Sequence, residues 1–221
     1  MPGAQVRSEN LEAITVDVPL TRGLGRAYGD AALPAPGDTR IAGSALADRI
    51  LHFDPDTGDM TAEAGLSLDE LYRAFLPKGW FTPVTPGTRF VTLGGAIAND
   101  VHGKNHHRAG TLGAHVERFE LLRSDGSRRI CSPTENADWF RATVGGMGLT
   151  GIILWAELRL RPVESGYVDQ STVKVRSLAD YFAVAAESDE RFEYTVAWID
   201  NLARLIHREA GKRGGESGII L

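Results

Sequence analysis

The sequence predicts an α+β fold, and three observations carry that prediction. Three glycine-rich clusters recur along the chain, strands and hairpins separate them, and one amphipathic helix with clear start and stop signals lies among them. No internal repeat is present.

Residues 1–20 are the least informative. Ser8-Glu9-Asn10-Leu11-Glu12 starts a short helix, and Ala13 to Val18 alternates as a strand does. Thr21 to Asp30, T-R-G-L-G-R-A-Y-G-D, places three glycines within seven residues. Such a run loses too much entropy to serve as an interior helix or strand, so it reads as a loop. Its arginines and backbone amides suit a phosphate. It is not the dinucleotide-binding G-x-G-x-x-G, because Tyr28 holds the position of the third glycine and Gly29 follows one residue late. It also lacks the G-K-[ST] ending of a nucleoside-triphosphate loop.

Ile50-Leu51-His52-Phe53 and Met60 to Ala64 flank Asp54-Pro55-Asp56-Thr57-Gly58-Asp59, a strand, a tight turn and a strand. Ser67-Leu68-Asp69-Glu70 has the form of a capping box, and Leu68, Leu71, Tyr72, Phe75 and Leu76 fall on one helical face. Gly79 ends that helix, with Lys78 where the dipole favours a cation. Glu117 to Arg123 and Ser127 to Ser132 bracket Asp125-Gly126, a hairpin signal. Thr134 to Ala142 reads as a short helix. Val144 to Gly151, V-G-G-M-G-L-T-G, is the third glycine cluster and leads into a strand from Ile152 to Arg161, which Pro162 stops. From Val163 the character changes: Tyr167 to Val175 as a strand, a Ser177-capped helix with Leu178, Tyr181, Phe182 and Ala185 on one face, and Phe192 to Ile199 as a strand. This β-α-β pattern opens a second domain. The tail from Leu205 to Leu221 has no periodicity and is expected to be disordered.

The segment Pro86 to His107, P-G-T-R-F-V-T-L-G-G-A-I-A-N-D-V-H-G-K-N-H-H, is where chemistry concentrates. Gly94-Gly95 permits close backbone approach to an anion, and Asn99, Asp100, His102, Lys104 and Asn105 supply polar groups that a core does not need. Alone, this stretch and the Thr21 loop read equally well as glycine-rich surface loops. His102, His106 and His107 lack the H-E-x-x-H spacing of a metal site, so no metal is expected. No G-x-S-x-G elbow supports a serine hydrolase. The tryptophans Trp80, Trp139, Trp155 and Trp198 are expected in the core.

A net charge of −5 argues against a general nucleic-acid binder. A single cysteine, Cys131, rules out an internal disulfide framework and reads as a buried thiol in a reducing compartment. No stretch reaches the ~20 apolar residues of a spanning helix, and the first residues lack a signal-peptide core. The expected location is the cytoplasm, with peripheral contact at the inner face of the membrane left open.

Taken together, R-G-L-G-R-A-Y-G-D-A-A-L, then P-G-T-R-F-V-T-L-G-G-A-I-A-N-D-V-H-G-K-N-H-H, then A-T-V-G-G-M-G-L-T-G-I-I resemble the flavin domain of the vanillyl-alcohol-oxidase-type (PCMH-type) flavoproteins. Within that superfamily H-G-K-N-H-H is most similar to the decaprenylphosphoryl-ribose 2′-oxidase group. The resemblance implies a PCMH-type FAD-binding domain over residues 1–163, followed over residues 164–221 by the start of an incomplete α/β substrate (cap) domain. It also implies truncation at both ends, since family members are longer before the first loop and beyond Leu221.

By position, the resemblance assigns Arg22, Gly23, Leu24, Gly25, Arg26, Ala27, Tyr28, Gly29 and Asp30 to the pyrophosphate, with Gly87, Thr92, Leu93, Gly94 and Gly95 continuing that grip. Asn99, Asp100, Val101 and His102 would line the flavin, and Ile153 would pack near it. Arg26 stands where many members carry the histidine that bonds the flavin, which implies non-covalent FAD. The implied reaction oxidises a sugar secondary hydroxyl to a ketone by hydride transfer to FAD, with His102, Lys104 and Tyr28 as catalytic candidates. The substrate would be a polyprenyl-phosphate sugar or another sugar, and a NAD(H)-dependent ketoreductase the partner. Two alternatives stand beside it: another sugar or aldonolactone oxidase, and a non-catalytic flavin-binding or partner-binding remnant.

Overall fold

The computed structural model describes residues 4–16, 18, 20–35, 40–175, 177–199 and 219–220. The chain divides into two units, one of residues 1–103 and 110–166, the other of residues 104–109 and 167–221. The first unit is a mixture of helices and strands, as an α+β reading requires. Residues 104–109 group with the second unit.

The first unit opens with β1 (Ala4–Arg7), α1 (Leu11–Thr15), β2 (Thr21–Arg22) and β3 (Arg40–Gly43). These strands form a parallel sheet in the order β1-β3-β2. The Asn10 side chain accepts from the Ala13 amide and starts α1. The expected Ala13–Val18 strand therefore does not form. Leu11 and Ile14, one helical turn apart, are both buried beside Ala42 and Ala47, and that burial outweighs the local alternation.

A five-stranded antiparallel sheet follows, built from β4 (Ile50–Phe53), β5 (Asp59–Glu63), β7 (Val116–Leu122), β8 (Arg128–Cys131) and β9 (Ile152–Arg159) in the order β4-β5-β9-β7-β8. Both expected hairpins are present, and Gly58 and Gly126 take φ of +78° and +77° in their turns. Met60, Phe119, Leu121 and Leu158 are fully buried on this sheet, and Phe119 stacks on Phe140 with ring centroids 5.3 Å apart. In chain order, α2 (Leu68–Phe75), β6 (Trp80–Phe81) and α3 (Leu93–Ala98) fall between β5 and β7, as does α4 (His106–Ala109), which belongs to the second unit. The capping box of α2 is complete: Ser67 Oγ accepts from the Glu70 amide and Glu70 Oε2 accepts from the Ser67 amide. A 3₁₀ turn at Leu76–Lys78 then ends on Gly79 at φ +80°, as its sequence foretold. The helix α5 (Ala137–Thr143) and the short β10 (Arg161–Pro162), which pairs with β6, complete the unit.

In the second unit β11 (Lys174–Val175), α6 (Leu178–Arg191), β12 (Trp198–Ile199) and β13 (Ile219–Ile220) are described. The strands expected over Tyr167–Val175 and Phe192–Ile199 shrink to two residues each. Tyr167 and Val168 are 92% and 79% exposed, so no face there is buried to reward an extended ladder. Ser177 caps α6 as expected, but Leu178 and Phe182 on its apolar face are exposed. Most of the Leu205–Leu221 tail lies outside the described residues, yet Ile219–Ile220 pairs with both β11 and β12.

The tryptophans are a further correction. Trp80, Trp139 and Trp155 are half-buried and Trp198 is exposed. Trp155 Nε1 donates to Glu120 Oε2 at 2.8 Å, and Trp139 is faced by the guanidiniums of Arg123 and Arg129. The indoles of Trp139, Trp155 and Trp198 keep a polar or charged neighbour, which full burial would make costly. Cys131 is buried, and that burial pushes its thiol upward.

Candidate cofactor site

The first glycine loop leaves the edge of the parallel sheet directly after β2, where the Ser44 amide donates to the Arg22 carbonyl at 3.0 Å. Gly25 and Gly29 take φ of +66° and +58°, values that L side chains rarely adopt. The Arg22 guanidinium lies over Gly25, so that a Cβ there would fall 2.2 Å from Nη2. Arg26 Nε donates to the Phe90 carbonyl at 3.3 Å. At Gly23 a Cβ would fall 2.3 Å from Thr92 Oγ1. The first loop and the Pro86 segment, 64 residues apart at their hydrogen bond, therefore meet. Among the described residues, no amide from Gly23 to Gly29 donates a hydrogen bond within the protein.

The N-terminus of α2 positions the Pro86 segment. The amides of Leu68 and Asp69 donate to the carbonyls of Val91 and Arg89, and Arg89 Nε pairs with Asp69 Oδ1 at 2.7 Å. Tyr72 reaches Thr85 and Thr82 through its phenol at 3.2 and 3.3 Å, and burial raises that phenol above its ordinary range. At the start of α3, Thr92 Oγ1 accepts from the Gly95 amide at 3.2 Å. The amides of Leu93 and Gly94 donate to the carbonyls of Leu66 and Ala64 at 2.7 and 2.8 Å. A Cβ on Gly94 would sit 2.8 Å from the Ala64 Cβ. Of the five residues that the resemblance assigns to this grip, Leu93, Gly94 and Gly95 thus donate their amides inside the protein. Glycine at position 94 is demanded by packing.

Beyond α3, Asn99 folds back on the Gly95 carbonyl through Nδ2 at 2.7 Å. Asp100 adopts φ +42°, and its Oδ1 accepts from the Gly113 amide at 2.8 Å. Val101 and Leu112 share a backbone hydrogen bond, and His102 forms an antiparallel bridge with Thr111. The third glycine cluster arrives at the same place: the amides of Gly145 and Met147 donate to the carbonyls of Ile97 and Ala98 at 3.1 and 2.8 Å. Met147 has φ +55° and is half-exposed, and Leu149 is 90% exposed. Sequence reasoning named only Ile153 from this region.

The remaining candidates scatter. Ile153 is buried in β9 opposite Leu121, Gly87 stands in open space, and Tyr28 is 99% exposed. Lys104 belongs to the second unit, where its carbonyl accepts from the Thr195 amide and its ammonium lies 5.7 Å from the Trp198 ring. In the same unit His107 Nε2 contacts the Phe192 carbonyl, and Arg108 donates to the carbonyls of Asp189 and Glu190 at the end of α6. Among the described residues no group of three or more His, Cys, Asp or Glu is placed to hold a metal. No described helix is long and apolar enough to cross a membrane.

The FAD binding domain family matches residues 17–132, more than half of the chain, and the chain belongs to it. Its cofactor is FAD, and the first loop fits the doubly charged pyrophosphate of that group through amides with no internal partner and two nearby guanidiniums. Among similar proteins, a decaprenylphosphoryl-β-D-ribose oxidase of Mycolicibacterium smegmatis is 43% identical over 84% of this chain and 40% of its own length. A mouse L-gulonolactone oxidase is 32% identical over 52% of this chain and 26% of its own. A human Δ(24)-sterol reductase is 28% identical over 65% of this chain and 28% of its own. The chain thus spans less than half the length of these relatives.

Proposed function

We propose that the chain is the flavin-holding part of an FAD-dependent sugar oxidase resembling the decaprenylphosphoryl-ribose 2′-oxidases. The observation that carries the reading is the Gly23–Gly29 loop, whose amides meet no acceptor among the described residues while Arg22 and Arg26 belong to the same turn. When bound, FAD supplies a hydride acceptor for a sugar C–H bond. The chain's own residues would bind and orient around it. The loop cradles the pyrophosphate, Asn99, Asp100, Val101 and His102 line the flavin, and Arg26 leaves the attachment non-covalent. His102 and Lys104 bind and polarise the sugar hydroxyl and its phosphate, and Tyr28 borders the pocket.

Residues 164–221 are read as the opening of a substrate (cap) domain. A polyprenyl-phosphate sugar is the proposed substrate, met at the cytoplasmic face of the membrane, and a NAD(H)-dependent ketoreductase would reduce the ketone product. The high identity to the ribose oxidase favours this substrate over an aldonolactone.

The test is a titration of the purified chain with FAD, read by visible absorption after removal of free cofactor. Retained flavin bands, released by denaturation without a covalent remnant, are expected. A folded chain that retains none overturns the reading.

A further inference from the structure

Asp100 is one of three described residues other than glycine with positive φ, at +42°. Aspartate tolerates this region better than most side chains, but a conformation of this kind persists only where its surroundings hold it. Its amide donates to the Ile97 carbonyl at 2.9 Å, turning the chain back across the end of α3. Its Oδ1 accepts from the Gly113 amide at 2.8 Å. A Cβ on Gly113 would lie 2.7 Å from that oxygen and 2.3 Å from Val144 Cγ1, and a Cβ on Gly145 would lie 3.3 Å from the Asp100 Cβ. The end of α3, the 3₁₀ turn at Leu112–His115 and the third glycine cluster therefore converge on one side chain. Between its two ends, the Val101–Leu112 hydrogen bond and the His102–Thr111 bridge close the loop.

We infer that Asp100 is a positioning residue, whose carboxylate latches the Gly113 amide to the end of α3 and so fixes Val101 and His102 for the flavin. Its carboxylate acts through the Gly113 amide, from behind the backbone that lines the flavin. The acceptor oxygen and the left-handed backbone carry the role, and the negative charge does not. This rests on the reading of the first unit as the FAD site.

Asp100→Asn retains an acceptor and tolerates the left-handed conformation, whereas Asp100→Gly keeps the conformation and removes the acceptor. Hydrogen exchange of the Gly113 amide in the chain without FAD reads the latch directly. It should accelerate about tenfold or more in Asp100→Gly, the loss of one hydrogen bond to a charged group, and stay near wild type in Asp100→Asn. FAD affinity should fall about tenfold in Asp100→Gly and remain within about twofold in Asp100→Asn. The inference is overturned if Asp100→Asn loses as much affinity as Asp100→Gly while Gly113 stays protected, since the charge would then meet the cofactor. It is overturned too if Asp100→Gly exposes the Gly113 amide and binds FAD normally. An unprotected Gly113 amide in the wild-type chain overturns the latch alone, whereas a wild-type chain that binds no FAD overturns the cofactor reading and this inference with it.

Discussion

Two glycine-rich segments of the first unit read alike as strings and behave differently as structures. In the Gly23–Gly29 loop, the backbone passes through left-handed glycines and its amides find no acceptor among the described residues. At Leu93–Gly95 the amides are engaged by Leu66, Ala64 and Thr92, and Gly94 is there because Ala64 leaves no room for a side chain. In the reading proposed above, the first segment presents its backbone to a ligand. The second is a packing joint that holds α3 against the turn after β5. A glycine can thus serve an anion or serve its neighbours, and the partner of its amide tells which.

The sharpest test of this contrast is Gly94→Val. The added atoms meet the Ala64 Cβ and carbonyl, so the chain without cofactor should lose roughly 3 kcal/mol in urea unfolding. Unchanged stability with lost FAD would instead place Gly94 on the ligand. Gly25→Val should reverse the pattern. The left-handed φ makes it cost roughly 1–2 kcal/mol, while FAD affinity measured by titration should fall more than about tenfold, because the loop can no longer present its amides. Equal loss of stability in the two variants would erase the distinction.

Thr92 touches both segments, capping α3 and lying under Gly23. Thr92→Val should cost about 1 kcal/mol through the lost cap, with a smaller fall in FAD affinity than Gly25→Val.

The smallest effect comes from the ion pair at the end of β5. Glu63 is held below the ordinary carboxylate range, first by its hydrogen bond from Arg49 and against its own partial burial. A carboxylate so depressed stabilises the fold above its unfolded value and loses that contribution as pH falls below about 4.3. Arg49→Ala should therefore flatten the decline in thermal midpoint on acidification, modestly because Arg49 is largely exposed, and leave FAD binding at neutral pH unaltered.

Where the structure departed from sequence reasoning, burial or pairing decided. The Ala13–Val18 alternation lost to the burial of Leu11 and Ile14 one turn apart. The long strands expected around α6 shortened to two residues, while two residues of a tail without periodicity, Ile219 and Ile220, found strands on both sides. His106 and His107, whose spacing offered no metal site, belong as loop residues to a turn that contacts Phe192 and, through Arg108, the end of α6. Neither pairing is written in local order, because the partner lies some eighty residues away.

What the sequence determined by itself is what neighbouring residues impose on one another. The Ser67 and Ser177 caps, the stop at Gly79, the turns at Gly58 and Gly126 and the loop character of Thr21–Asp30 all depend on contacts within a few residues. The family also follows from motifs legible in order along the chain. Only the tertiary structure decided which glycine amides remain available, that Asp100 engages Gly113, and that the third glycine cluster closes on the end of α3. Those outcomes depend on which carbonyl each amide meets across the fold, and a hydrogen bond has direction and distance that no spacing of letters encodes.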